Sequence, residues 1–344
     1  AADMMRKPVL LITDIGRDID DTVALFTLRA APAIDFVGVV TTGGATLDRA
    51  KQARNWLRRL GVEDTECQVA AGPDYAEAPY GQSRSYRKCS VVERLNADVE
   101  GDFALHHNYA KLILSLSERY GKKLTIMGIG PLSPLSEALR QDDKGSLKRI
   151  GALHLQGTAH IDVSQQDGGV EVCRLRPDDA SYNFKEDMPA AEHVFAELQD
   201  DVPMTLLGKH AAYRVGLTSG DFKSWERGSD FPSLFATAKD QMNAFRESSP
   251  DIFYRVYPVP EDKRNDRDWV DNLPGGVLSR PYDPLLALHF VRPDLFAAKS
   301  VSGGRHIVVG NTDGEHGVPD GDQCRSELCR LVNQAANNCH SSSE

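Results

Sequence analysis

The chain has 344 residues, enough to bury a large core in one or two domains. Its 41% hydrophobic and 26% charged content is that of a soluble globular protein, and a net charge of −10 argues against nucleic acid or an anionic membrane as the main partner. No run of apolar residues is long enough to suggest a membrane-spanning helix.

Six cysteines (Cys67, Cys89, Cys173, Cys324, Cys329 and Cys339) include no Cys-x-x-Cys pair and read as reduced thiols, as expected in a cytoplasm. The chain begins Ala1-Ala2-Asp3 without methionine or an apolar signal segment, which is compatible with a start inside a longer protein.

Strand and helix signals alternate along the chain. Residues 7–13 read as a buried strand, 20–31 as a helix and 34–42 as a second strand ending in Thr41-Thr42-Gly43-Gly44. Thr46 can open a helix to about 60, with Ala50, Ala53, Trp56 and Leu57 at helical spacing. A short strand at 68–71 precedes a long region with little periodicity. Residues 104–119 read as a helix, 124–129 as a strand broken at Gly130-Pro131, 132–140 as a helix and 150–155 as a strand. The stretch 158–186 looks irregular. Helices are expected at 189–198, 233–245, 282–290 and 322–337, with strands at 204–208 and 305–309.

This βα alternation predicts one α/β domain over 1–344: a doubly wound, mostly parallel open sheet with helices on both faces. Lid or surface excursions are expected at 73–103 and 247–281. In such sheets, ligands bind beyond the carboxyl ends of the strands.

The organising stretch runs from Val9 to Leu25. Asp14, Asp18, Asp20 and Asp21 fall within eight residues around Gly16, between a strand and a helix. One aspartate can cap a helix and favour its positive end, but four are more than capping explains. Confining that charge calls for a cation, a shared proton or a hydrogen-bond network, and oxygen ligands of this kind suit a hard cation. The substring Asp18-Ile19-Asp20-Asp21-Thr22 also fits the Asp-x-Asp-x-Thr of phosphatases that form an aspartyl-phosphate. That chemistry needs its first aspartate directly at a strand end, whereas here the strand stops at Thr13.

Five segments together resemble the nucleoside hydrolase superfamily: the Asp20-Asp21 turn, Thr41-Thr42-Gly43-Gly44, Ile129-Gly130-Pro131-Leu132, Ser181-Tyr182-Asn183 with Asp187, and Tyr282-Asp283-Pro284-Leu285. They occur in that family's order over roughly residues 8 to 295. The resemblance implies a doubly wound fold and a Ca²⁺ held by aspartates, a backbone carbonyl and waters. By position, Asp14, Asp18, Asp21, the Ile129 carbonyl and Asp283 are the implied metal ligands, while Asp20 contacts a ribose hydroxyl. A water activated by the metal and a nearby carboxylate then attacks C1′ as an oxocarbenium-like centre develops.

The departures are specific. Gly16 stands where the family motif has its second aspartate, usual base and ligand, so Asp18 is the candidate replacement. Thr46 replaces a ribose-binding asparagine, and Tyr282 a histidine that often assists the leaving base; tyrosine, with an ordinary pKa of about 10, is the poorer acid. Ser181 replaces a glutamate that accepts from the ribose 5′-hydroxyl, which would ease repulsion against a 5′-phosphate. Arg174, Arg176, Lys185, Lys209 and His210 lie in segments expected at the rim. With Tyr182 and Asn183, the implied substrate contacts are Asp20, Thr46, Ser181, Lys209 and His210; the implied catalytic set is Asp20, Asp18 and Tyr282.

Phe253, Tyr254, Tyr257 and Trp269 can serve as lid aromatics or as satellite packing. His106, His107 and His154 lack metal spacing and read as surface or structural residues. The leading expectation is a Ca²⁺-dependent N-ribosyl hydrolase acting on a purine nucleoside or a 5′-substituted nucleotide. The alternative is a catalytically weak ribose- or ADP-ribose-binding effector that binds host proteins. It would be secreted into a host cytoplasm, like the XopQ/HopQ class of nucleoside hydrolase-like effectors that the chain also resembles. No nucleic-acid or membrane partner is expected, and the oligomeric state is left open.

Overall fold

The computed structural model describes residues 6–16, 18–74, 105–166, 170–226, 234–248, 250–257, 259–264, 273 and 276–338. In chain order the elements are β1 (Lys7–Thr13), α1 (Asp20–Ala30), β2 (Ile34–Thr41), α2 (Thr46–Arg59), β3 (Gln68–Ala71), β4 (Leu105–His106), α3 (Tyr109–Tyr120), β5 (Thr125–Gly128) and α4 (Ser133–Arg140). Then follow β6 (Ala152–Gln156), β7 (Ala159–Gln166), β8 (Val170–Pro177), α5 (Tyr182–Glu186), α6 (Met188–Leu198), β9 (Met204–Leu207), α7 (Lys209–Ala212), β10 (Leu217–Thr218) and α8 (Ser219–Glu226). The last part holds α9 (Leu234–Ser248), α10 (Pro250–Val256), β11 (Val277–Ser279), α11 (Tyr282–Val291), β12 (Lys299–Val301), β13 (His306–Val309) and α12 (Gly321–Asn338).

Nine strands form one sheet in the order β12-β13-β9-β6-β5-β1-β2-β3-β4, parallel throughout except for the edge strand β12. β1 is central, and its sequence shows why. Val9, Leu10, Leu11 and Ile12 are all buried, the continuous apolar run of a strand covered on both faces. Val9 and Leu11 face the core built with α1, α11 and α12, whereas Leu10 and Ile12 face the core built with α3, α4 and α6.

Register aligns the strand ends. Ile12 lies opposite Val40 on β2 and Gly128 on β5, and the ladders continue past the strands through Thr42 N–H to Thr13 O (2.9 Å) and Ile129 N–H to Ile12 O (2.8 Å). The three motif-bearing turns after β1, β2 and β5 therefore emerge side by side at the carboxyl rim.

Three sequence expectations change. Residues 158–186 are not irregular: β7 and β8 form an antiparallel ribbon, followed by the short helix α5. The ribbon's inward side is thin, with Leu175 buried but Val163 exposed, so its alternation is weak in sequence. The helix expected from 104 begins at Tyr109, because Asn108 caps it by accepting from Lys111 N–H at 2.9 Å. In 247–281 the described part is largely structured, with α10, a helical turn at Glu261–Lys263 and β11. Phe253 and Tyr257 are buried and stack at 5.3 Å between centroids, so these two belong to the packing of the core. Trp269, Cys89, Cys339 and nearly all of the 73–103 excursion lie outside the described residues.

Candidate active site

The acidic turn leaves β1 at the centre of the rim. Asp14, Asp20, Asp21 and Asp283 are buried and Asp18 is half-buried. One carboxylate oxygen each from Asp18, Asp20 and Asp283 lie within 4.8 Å of one another. Asp283 comes from the first turn of α11, so helix and sheet packing, not chain proximity, completes the group.

Asp21 accepts a short hydrogen bond from Thr13 Oγ1. Asp14 sits where glycine is needed: a Cβ on Gly43 would come within 2.8 Å of the Asp14 Cβ, and one on Gly130 within 2.8 Å of its Oδ1. The two glycine motifs are thus the space that this carboxylate occupies.

Electrostatics make the cluster a poor home for free charge. Burial, then Asp18, push the Asp20 carboxyl well above the usual carboxylate range. Burial, then Asp14 and Asp18, do the same to Asp21; burial, then Asp21, Asp20, Asp18 and Asp14, do so to Asp283. Buried acids in this state either hold protons or share a cation. Their donor set, all oxygen and anionic, fits a hard divalent ion, so the triad can hold a metal.

The flanking groups follow. Asn183 Nδ2 donates to the Ile129 carbonyl (3.1 Å) and to Gln156 Oε1 (2.9 Å), which uses both amide protons and leaves Oδ1 as an acceptor. The Ile129 carbonyl keeps a second lone pair. Tyr282 pairs edge to face with Tyr213 at 6.3 Å, and burial holds its phenol protonated, well above the ordinary range.

A family model described as inosine-uridine preferring nucleoside hydrolase matches residues 9–336. The chain belongs to this family. No curated protein matches it. Solved structures with the same fold include the type III effector protein XopQ complexed with adenosine diphosphate ribose, with a TM-score of 0.77 and 21% identity over 96% of this chain and 94% of that one. A purine-preferring ribonucleoside hydrolase from Gardnerella vaginalis has a TM-score of 0.66 and 19% identity over 96% of this chain and 99% of that one. An inosine-uridine preferring nucleoside hydrolase from Bacillus anthracis has 0.59 and 18% over 95% and 99%.

Other expected site residues of this nucleoside hydrolase family member are tied into the framework. The Thr46 hydroxyl donates to Gly72 O at 2.8 Å, and Ser181 Oγ accepts from Thr158 N–H at 2.6 Å. Asp187 caps α6 by accepting from Ala190 N–H at 3.1 Å and accepts from the Ser133 hydroxyl. Tyr182 is exposed, next to the Ser181 turn. Lys209 Nζ donates to Ala180 O at 3.3 Å, and His210 lies 3.6 Å from Asp313 with its pKa lowered by burial and by Lys209.

Arg174 and Arg176 do not converge on the acids. From β8, Arg174 pairs with Asp200 in the turn after α6 (2.7 Å) and Arg176 with Asp162 on β7 (3.1 Å), because an antiparallel ribbon turns alternate side chains outward. His154 is a structural histidine, edge-on to Phe290 at 5.0 Å, as expected.

Two residues have no counterpart in the sequence reading. Arg49, fully buried on α2, donates to the carbonyls of Asp14, Ile15 (2.8 Å), Gly44 (2.8 Å) and Gly43 (3.4 Å), so it ties the β1 and β2 turns together. Nothing in sequence separates it from Arg54, Arg58 and Arg59 on the same helix. Gln241 on α9 accepts from Ile19 N–H at 3.0 Å. Its signal in sequence is a polar residue next to the apolar positions Leu234, Ala238 and Met242.

Proposed function

We propose that this chain binds the ribose of a purine nucleoside or 5′-substituted nucleotide through Ca²⁺ and hydrolyses the N-glycosidic bond. The observation that carries the reading is the meeting of Asp18, Asp20 and Asp283 oxygens within 4.8 Å at the strand carboxyl ends. Asp14, Asp21 and the Ile129 carbonyl would complete the oxygen donors, and Asp20 and Asn183 would receive ribose hydroxyls. A Ca²⁺ ion supplies positive charge that orients those hydroxyls and acidifies a water. Asp18 would accept the proton of the attacking water in the role that Gly16 cannot fill. Tyr282, protonated, would donate a hydrogen bond toward the leaving base.

A 5′-substituent is favoured by Ser181, which carries no charge at a position beside Lys209, and by the fold shared with an effector complexed with adenosine diphosphate ribose. The test is base release from adenosine, adenosine monophosphate and ADP-ribose with Ca²⁺, comparing wild type with Asp283→Ala. Release that the substitution abolishes is expected; equal background rates would refute turnover.

One observation favours a second reading, a ribose or ADP-ribose binder with little turnover that engages host proteins as an effector. Gly16 has φ +96°, a left-handed conformation in which an aspartate would be strained, so the missing carboxylate cannot be restored without remodelling the turn. Calorimetric binding of ADP-ribose without base release would select this reading.

A further inference from the structure

The acidic turn between β1 and α1 belongs to neither a ladder nor a helix, so its backbone polar groups need other partners. Side chains provide them. Thr13 Oγ1 accepts from Ile15 N–H at 3.1 Å, Arg49 donates to the Asp14 and Ile15 carbonyls, and Gln241 Oε1 accepts from Ile19 N–H at 3.0 Å. Thr13 belongs to the adjoining strand β1 and Arg49 to α2. Gln241 arrives from α9, 222 residues along the chain.

Its place on α9 is unusual for packing alone. Leu234, Ala238 and Met242 are buried in the core, Phe245 packs against it and Thr237 is buried beside them; Gln241, half-buried, lies along this inward side, where an apolar side chain would bury at no polar cost. The amide it accepts belongs to the peptide that joins Asp18 to Ile19. Holding that amide orients the peptide plane from which Asp18 projects. Asp18 is the least buried of the three clustered acids and precedes the first turn of α1, accepting from Asp20 N–H at 3.2 Å. Its position therefore depends on the turn more than do those of Asp20 and Asp283, which are fixed on helices.

We propose that Gln241 is a positioning residue: through the Ile19 amide it sets Asp18 against Asp20 and Asp283, so that α9 governs the cation affinity of the site. This inference rests on the cation reading above. It also makes the segment around α9 an energetic part of the site although none of its carboxylates belongs to the triad.

The test uses the full chain, with calcium chloride titrated calorimetrically and amide hydrogen exchange followed across the turn. Gln241→Leu, similar in volume but without the acceptor, is expected to lower calcium affinity roughly tenfold or more, as loss of an outer-shell partner does. It should also speed exchange at Ile19 in the metal-free chain. Met242→Ala, one residue away and buried, should lower Tm while keeping calcium affinity within about twofold of wild type. Gln241→Ala serves the same comparison if the leucine variant does not fold.

Wild-type affinity and wild-type Ile19 exchange in the Gln241 variants would overturn the inference alone. An equal affinity loss in Met242→Ala would also overturn it, since general loosening would then account for the effect. Absence of calcium binding by the wild-type chain would refute the cation reading and this inference with it.

Discussion

The carboxylate of Asp20 accepts a 2.9 Å hydrogen bond from the backbone amide of Tyr282, 262 residues later. The same oxygen accepts from Asp283 N–H at 3.4 Å, and Ser279 Oγ lies 3.5 Å from the other. Asp20 is itself the first residue of α1. One carboxylate therefore stands in the first turn of α1, where the helix dipole favours negative charge, and accepts from the orphan amides at the start of α11. The Asp20 side chain caps the partner helix and not its own, and in doing so it brings Asp283 to Asp18.

This dual role separates two substitutions. Asp20→Asn and Asp20→Ala both remove the charge, but only alanine removes the acceptor for the α11 amides. In chelator, Asp20→Ala is expected to be less stable than Asp20→Asn by about 1 kcal/mol, the usual value of a cap. Both should lose the stabilisation by calcium that the proposed site predicts. Denaturant unfolding with and without calcium measures both differences, and equal stability of the two variants would exclude the capping contribution.

The raised carboxyl pKa values of Asp20, Asp21 and Asp283 set a pH dependence. Their folded values lie above the unfolded ones, so the folded state binds more protons, and the stability they contribute is full below about pH 4. It is lost as pH rises through the folded values. Metal-free protein should accordingly be weakened by these groups on going from pH 5 to 8. Because a cation bound at the proposed site would replace the protons, the Tm increase on adding calcium should grow over the same interval. A calcium shift independent of pH in thermal scans would count against this linkage.

Two imidazoles, His289 buried and His154 half-buried, act in the opposite sense. Burial pushes His154 down to about 3 and His289 down to about 4. The stability of keeping them neutral is complete above pH 6.5 and falls as pH drops below it, by roughly 1 kcal/mol per pH unit for each. In calcium-loaded protein, His154→Leu should flatten the acid limb of a stability profile between pH 6.5 and 4. An unchanged slope would show that other groups dominate acid unfolding.

Arg49 should prove a structural requirement of the rim. Arg49→Met would leave the carbonyls that it now serves without a buried donor, at a cost of roughly 3 kcal/mol or more. Arg49→Lys should recover only part, because an ammonium cannot span the same set of acceptors as the planar fork. Equilibrium denaturation of the two variants provides the comparison.

Lys209 is the residue expected to separate nucleoside from nucleotide in the proposed site. If the site accepts a 5′-phosphate, Lys209→Ala should weaken ADP-ribose binding roughly tenfold, the value of a charge-assisted hydrogen bond, with adenosine unaffected. Equal loss for both compounds would assign the lysine to general packing beside Ala180.

The architecture was legible because its signals are local. The apolar run of β1, the glycine turns and the α/β alternation are properties of consecutive residues, and they define a parallel sheet with a loaded carboxyl rim. The ribbon at 159–177 was missed because its alternation is weak where one face is solvated. The short helices near 209–226 carry too few residues for periodicity to show.

For the site, the sequence by itself determined which acids are available and that one set of turns would hold them, since those follow from composition and strand order. Only the tertiary structure decided how they combine. It put Asp20, with Asp18, within reach of the Asp283 that the family resemblance had already assigned to the site, gave the Ile129 carbonyl to Asn183, turned Arg174 and Arg176 away, and set Arg49 and Gln241 behind the turn. The physical reason is that each of these depends on sheet register and helix docking. Those bring together groups from distant parts of the chain, and no local pattern encodes which side chain will meet an unpaired amide.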